Sequence, residues 1–403
     1  MAFSTEKFNS TCPLWTWKPI SPGKDQHSES ACQSETLSHG FEIIGARVRG
    51  KKHKHEGTNC DDWFEIARSG EWNIIAVSDG AGSKMFSRVG ARVACQTAVN
   101  YLVKQLQKHH IKPRQEWTAD TFARNEIYQF KEPDIELTQK ILHEAIQSAY
   151  YAIEEAFHAR DQLKYYYKAL GNRDLTLSDF STTLLLAIHT RVHYKAAPYS
   201  LVLTCQIGDG MTAAICQQQS ISCLLGKVEK NHFGGETQFL TSSKRQLERN
   251  YLATINYSFF SQMRALMVMT DGVSDDYFPP DKNMLRLFGD LILNGIIPIS
   301  TFSSRFKEKE ILRQNDYLFI QERLSEKGSQ PTPICSVSEY AKIINIPIEK
   351  LIATPAWLVA GIPKEILESH DISSENRLLA WLDTYNIRGS FDDRTLVVLT
   401  KEF

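Results

Sequence analysis

The stretch that most constrains this chain is Trp72–Ser83, WNIIAVSDGAGS. An apolar run, Ile74-Ile75-Ala76-Val77, leads into Asp79 and then into a turn built on Gly80 and Gly82. β-Branched residues favour a strand and glycines end it. Asp79 is therefore expected at a strand end, where open backbone lets a ligand approach. The same grammar returns far along the chain. There Leu266-Met267-Val268-Met269-Thr270 leads into Asp271-Gly272, with Asp275 and Asp276 just behind. Two apolar strands that both end in Asp-Gly predict a shared acidic site.

Further strands are predicted at Phe41–Val48, Asp62–Ala67, Thr182–His189, Leu201–Ile207, Thr212–Cys216, Ile221–Leu225 and Thr395–Leu399. Two long amphipathic helices are predicted over Ser87–Gln107 and Thr138–Arg160, each with an apolar face fit to cover a sheet. The strands come in consecutive groups and do not alternate regularly with helices. That order points to an α+β protein of mostly antiparallel sheets packed together, with helices outside. Residues 1–40 are polar and read as a loosely held extension before a main domain over 41–403. Residues 226–262 are polar and give no clear element. Residues 277–377 are predicted to be a helical insertion before a last helix, Glu375–Tyr385, and a last strand. Met284, Leu285, Leu287, Phe288, Leu291 and Ile292 carry its helical spacing.

Composition narrows the function. The 403 residues carry 46 basic and 47 acidic side chains, so no overall charge favours nucleic acid. No apolar run approaches the roughly 20 residues of a membrane span. The start, MAFSTEKFNS, lacks the pattern of a signal peptide. Eight cysteines without a CxxC pair read as reduced thiols, and the expected location is cytoplasmic. The basic run Arg47–His55 reads as a solvated face, although its place before Asp62 suits attraction of phosphate. Gly45–Lys51 has the glycine and lysine spacing of a P-loop. Lys52 stands where that loop needs a hydroxyl, and no helix pattern follows.

The acidic residues cluster at strand boundaries. Asp61 and Asp62 precede one strand, Asp79 and Asp271 follow two others, and Asp392 and Asp393 precede the last. Asp209, between Gly208 and Gly210, follows another. In antiparallel sheets such starts and ends meet at one edge. Bare carboxylates crowded there would repel and take up protons. Mg²⁺ and Mn²⁺ relieve that conflict, since both prefer oxygen ligands. Asp61, Asp276 and Asp393 each adjoin a stronger candidate and are read as supporting or turn residues.

These residues also carry a family resemblance. Asp79-Gly80, Ser181-Thr182-Thr183, Gly208-Asp209-Gly210, Thr270-Asp271-Gly272 with Asp275, and Asp392-Asp393-Arg394-Thr395 stand in a telling order. It resembles that of the metal-dependent Ser/Thr protein phosphatases of type 2C, in particular a bacterial branch. The resemblance covers roughly Phe41–Asp276 and Leu378–Thr400. It implies an αββα four-layer sandwich and two Mg²⁺ or Mn²⁺ ions, with a third in some members. Implied ligands are Asp62, Asp79, the Gly80 carbonyl, Asp271 and Asp392, with Asp209 and Asp275 for the extra ion. The implied reaction is hydrolysis of phosphoserine and phosphothreonine on a protein substrate, with a cognate Ser/Thr kinase as partner and neither nucleic acid nor membrane. The sequence departs from the pattern in three places. Asp61 stands where many members have Glu, Gly57 where many have a phosphate-holding Arg, and Ala81 where many have His. His55, Lys54 and Arg49 are candidates to replace the Arg. The alternative these departures raise is a catalytically weak, phosphatase-like regulatory or binding protein.

Overall fold

A computed structural model describes residues 16–23, 25–37, 40–111, 133–161, 170–194, 197–216, 222–225, 237–242, 255–260 and 263–278. It also describes scattered positions between 280 and 297, and residues 373–384 and 391–401. The chain opens with β1 (Ser30–Thr36), β2 (Phe41–Val48) and a short helix, α1 (Lys51–Glu56). A hairpin of β3 (Trp63–Ser69) and β4 (Trp72–Ser78) leads to the long helices α2 (Ser87–Lys108) and α3 (Pro133–Asp161). Strands β5 (Leu184–Tyr194), β6 (Ala197–Ile207), β7 (Met211–Cys216) and β8 (Ser222–Leu224) follow. Next come β9 (Ile255–Phe260), β10 (Met263–Met269) and a single helical turn, α4 (Asp271–Ser274). Helix α5 (Ser374–Thr384) and strand β11 (Arg394–Lys401) complete the described elements.

The strands form two sheets in which every pairing is antiparallel. One has the order β1-β2-β11-β10-β7-β8 and the other β3-β4-β5-β6-β9. The period of two along each strand decides what lies between them. In β4, Ile75 and Val77 face the inter-sheet core, while Ile74 and Ala76 face α2 and α3. In β10, Leu266 and Val268 point inward, and Met267 and Met269 pack outward against α5 and Phe288. β11 repeats this with Val397 and Leu399 in, Leu396 and Val398 out. Strands buried on both faces become continuous apolar runs. The layers are thus helix, sheet, sheet, helix, as expected. Among the described residues, no helix is long and apolar enough to cross a membrane.

Three expectations change. The sheet begins at Ser30, inside the stretch read as a loose extension. β1 pairs with β2 over seven residues, Ser30↔Val48 to Thr36↔Glu42. Residues before it are also tied down: Lys18 N–H donates to the Lys54 carbonyl and Ser21 N–H to the Gly57 carbonyl. β1 reads as polar because it is an edge strand with no fully buried residue. Second, β9 lies inside the unread polar stretch and is also an edge strand, with only Ile255 and Phe260 buried. Third, the basic run is not a solvated face. Arg47 and Arg49 are buried, and a helix, α1, does follow the P-loop-like spacing. Arg47 lies over the Trp63 ring at 4.5 Å and donates to Ser28.

Most of 277–377 lies outside the described residues. Of its expected apolar positions, Met284, Leu287, Phe288 and Leu291 are buried against the outer face of the six-stranded sheet. Cys32, Cys60, Cys95 and Cys205 are free thiols.

Candidate metal centre

The sheets are arranged so that one edge gathers the carboxylates. β4 ends at Ser78 and delivers Asp79, whose backbone is clamped by the start of β5. Asp79 N–H donates to Thr183 Oγ1 at 2.9 Å, and its carbonyl accepts from Thr183 N–H at 2.8 Å and Thr182 Oγ1 at 2.7 Å. β10 ends at Met269 and delivers Asp271 at the first turn of α4. Asp209 sits in the turn between β6 and β7, flanked by two glycines at φ +94°. One carboxylate oxygen each from Asp79, Asp209 and Asp271 lies within 4.8 Å of the others.

Asp62, just before β3, is almost completely buried. Its Oδ2 accepts from Thr270 Oγ1 at 2.9 Å and Thr395 Oγ1 at 2.7 Å. Its Oδ1 is buried with no hydrogen-bond partner among the described residues, as is Asp209 Oδ1. A buried carboxylate oxygen left unpartnered is costly. Such oxygens fit a cation, and the donor set around them is hard oxygen. Hard divalent cations such as Mg²⁺ or Mn²⁺ suit such oxygens, and Asp79, Asp209 and Asp271 form a group that could hold one.

Protonation tells the same story. Burial first, then the charges of Asp271 and Asp62, push the Asp79 carboxyl well above the ordinary carboxylate range. Burial and the Asp393 charge do the same to Asp62, against the pull of the two threonine hydroxyls. Asp271 is raised to about 7 by burial and by Asp209 and Asp392. Asp275 is also raised, by burial and then the charges of Asp209 and Asp392. Each carboxylate raises the next, an electrostatic conflict that a bound cation would relieve.

Asp392 is exposed and Asp393 is buried. Asp393 accepts from Gly50 N–H at 2.6 Å, Asp61 N–H at 2.5 Å and His53 Nδ1 at 3.0 Å. The loops approach so closely that two positions exclude a side chain. A Cβ at Gly50 would meet the Asp392 carbonyl carbon at 2.3 Å, and one at Gly272 the Asp393 oxygen at 1.9 Å. Asp61, raised to about 7 by burial and then by Asp393, lies alongside.

The three proposed phosphate-holding cations have other engagements. Arg49 donates to the Thr58 and Lys18 carbonyls at 3.1 and 2.7 Å and pairs with Glu29 at 3.2 Å. Lys54 pairs with Asp383 of α5, and His55 Nδ1 accepts from Thr16 N–H at 3.2 Å. The histidine that reaches the acidic edge is His53, which sequence reasoning left inside the basic run. No local signal marks it: among the six residues of α1 only the contact with Asp393 sets it apart.

A helix–sheet–sheet–helix sandwich with an acidic cluster at one edge is the architecture of the metal-dependent protein phosphatases. The family model for Protein phosphatase 2C matches residues 49–295, and the chain belongs to that family. Comparison with curated proteins gives no match. Among solved structures, the chain is similar to RsbX in complex with magnesium, at 11% identity and TM-score 0.33, over 92% of this chain and 100% of that one. It is similar to the catalytic domain of the serine threonine protein phosphatase PstP in complex with two manganese ions, at 12% identity and TM-score 0.34, over 90% and 99%. Stp1 from Staphylococcus aureus gives 11% identity and TM-score 0.35, over 96% and 98%. These similarities are faint, and membership rests on the family match.

Proposed function

We propose that this chain is a metal-dependent phosphoprotein phosphatase acting on phosphoserine and phosphothreonine. The observation that carries the reading is the Asp79, Asp209 and Asp271 trio, with ligand atoms within 4.8 Å of one another. In this reading Asp62, Asp79, the Gly80 carbonyl, Asp271 and Asp392 hold two Mg²⁺ or Mn²⁺ ions, and Asp209 and Asp275 serve a third. The chemistry such ions would supply is a lowered pKa for bound water and neutralisation of charge on the phosphoryl group. The chain's own part is to fix the ligands. Thr270 and Thr395 orient Asp62, and Thr182 and Thr183 hold the Asp79 backbone. Lys54, half-buried at the end of α1, is the proposed cation that attracts substrate phosphate, and His55 beside it a proposed hydrogen-bond donor through Nε2. Arg49 is committed to carbonyls, and its proposed part is to anchor residues 18–29.

The test is release of phosphate from a phosphoserine peptide by metal-free protein titrated with Mn²⁺. Turnover that appears with Mn²⁺ supports the reading, and none with metal bound overturns it. One observation favours the second reading, a phospho-dependent regulatory module. Gly57, at the position where many members carry Arg, caps α1 at φ +76°, a conformation that disfavours side chains. That module would bind phosphopeptide and release nothing.

A further inference from the structure

We infer that His53 is a positioning residue for the metal centre, acting through Asp393 from outside the ligand set. The inference rests on the metal-dependent reading above. His53 is only 3% exposed and forms, with Asp392 and Asp393, a second group of possible ligand atoms within 4.8 Å of one another; its Nδ1 is engaged by Asp393. Its Nδ1 faces Asp393 Oδ2 at 3.0 Å, and because a carboxylate only accepts, Nδ1 carries the proton.

Asp393 is the hub of three segments. Its other contacts are the Gly50 amide, leading into α1, and the Asp61 amide, next to the ligand candidate Asp62. Asp393 itself adjoins Asp392, and Lys52 N–H donates to the Phe391 carbonyl at 3.0 Å. On its far side the imidazole faces Gly82, in the turn after Asp79: a Cβ there would stand 3.6 Å from His53 Nε2. The ring thus lies between that turn and the loops that carry Asp61 and Asp393. Without it the buried Asp393 loses a hydrogen-bond donor, and the loops it joins lose one of their shared contacts. Groups of this kind, which orient ligands without binding metal, change affinity by roughly 10–100-fold.

The experiment compares wild type with His53→Ala, His53→Asn and His53→Gln. Asn keeps a donor near the Nδ1 position and Gln moves it outward. Leu102→Ala, in the core of α2, is a control for general loss of stability. Three quantities are read: Mn²⁺ affinity by calorimetry, amide exchange at Gly50 and Asp61 in metal-free protein, and kcat and KM at saturating Mn²⁺. H53A should bind Mn²⁺ roughly tenfold or more weakly and lose protection at both amides, with KM for phosphopeptide unchanged. H53N should recover most of both, H53Q little, and L102A should keep wild-type Mn²⁺ affinity. Should H53A not fold, H53N against H53Q makes the same comparison. Unchanged Mn²⁺ affinity in folded H53A, or equal weakening in L102A, overturns the inference, as does H53N no better than H53Q. A wild-type chain that binds Mn²⁺ but releases no phosphate overturns the phosphatase reading alone, since affinity and exchange still report on His53. One that binds no Mn²⁺ overturns both.

Discussion

The imidazole of His53 and the carboxylate of Asp393 meet at 3.0 Å although 340 residues separate them in the chain. Their contact joins the segment before β3 to the segment before β11, so Asp62 and Asp392, which lead into strands of different sheets, arrive at the same end of the sandwich. The behaviour of that end toward cations, protons and substitution is measurable.

Chelation should abolish phosphatase activity, and Mn²⁺ or Mg²⁺ should restore it. Zn²⁺ should restore it poorly, because the Asp79, Asp209 and Asp271 cluster offers oxygen donors and Zn²⁺ is best held by nitrogen and sulfur. Phosphate release in excess chelator at the wild-type rate would disprove the metal requirement.

Asp79→Asn and Asp271→Asn should each lower turnover roughly a hundredfold or more, since a metal supplies several kcal/mol of charge stabilisation. The same Asp271 variant has an opposite effect on stability without metal. Asp271 is held at about 7 in the folded chain, above its ordinary 3.8. Its contribution is fully present below that ordinary value and is lost as pH rises through about 7. D271N removes the loss. In chelator, the melting temperature of D271N minus that of wild type should therefore grow from about pH 4 to about pH 8. A difference that stays flat across this range would mean Asp271 is not crowded.

Thr395→Val removes one of two hydroxyl donors to Asp62 Oδ2 while keeping shape. A hydrogen bond to a charged group contributes about 1.5–3 kcal/mol, so Mn²⁺ affinity should fall roughly tenfold or more. Calorimetry on T395V checks this. Thr270→Val should act similarly, and the double variant should fall short of additivity, because Thr395 N–H also donates to Thr270 Oγ1 at 3.1 Å.

Deleting residues 1–37 should destabilise the domain severely. It removes β1, its ladder with β2, and the Arg47 and Arg49 partners at Ser28 and Glu29. Two buried guanidinium groups would lose partners, at about 1–3 kcal/mol or more each. Urea unfolding of the truncated chain is the measurement, and a midpoint equal to the full chain's would show that this region is dispensable.

The layered fold was legible where burial leaves a strong pattern. β2, β4, β5, β10 and β11 are apolar on both faces because helices cover the outside of each sheet. Asp79 and Asp271 stood out because each ends such a run. The edge strands β1 and β9 did not, since one paired side and few buried residues leave a polar text. His53 was hidden for a related reason. Within KKHKHE, one buried imidazole looks like its solvated neighbours, and only contact with Asp393 tells it apart. Long-range contacts of this kind have no local sequence signature.

Strand β11 lies in the interior of its sheet, between β2 and β10. During synthesis the N-terminal part emerges first. Until residues 394–401 leave the ribosome, β2 and β10 each keep an unpaired edge with a gap one strand wide between them. Asp62 then lacks its Thr395 hydroxyl, and Asp61 and His53 lack Asp393. The acidic residues at this end of the sheets are thus ordered only once β11 has entered the slot between β2 and β10.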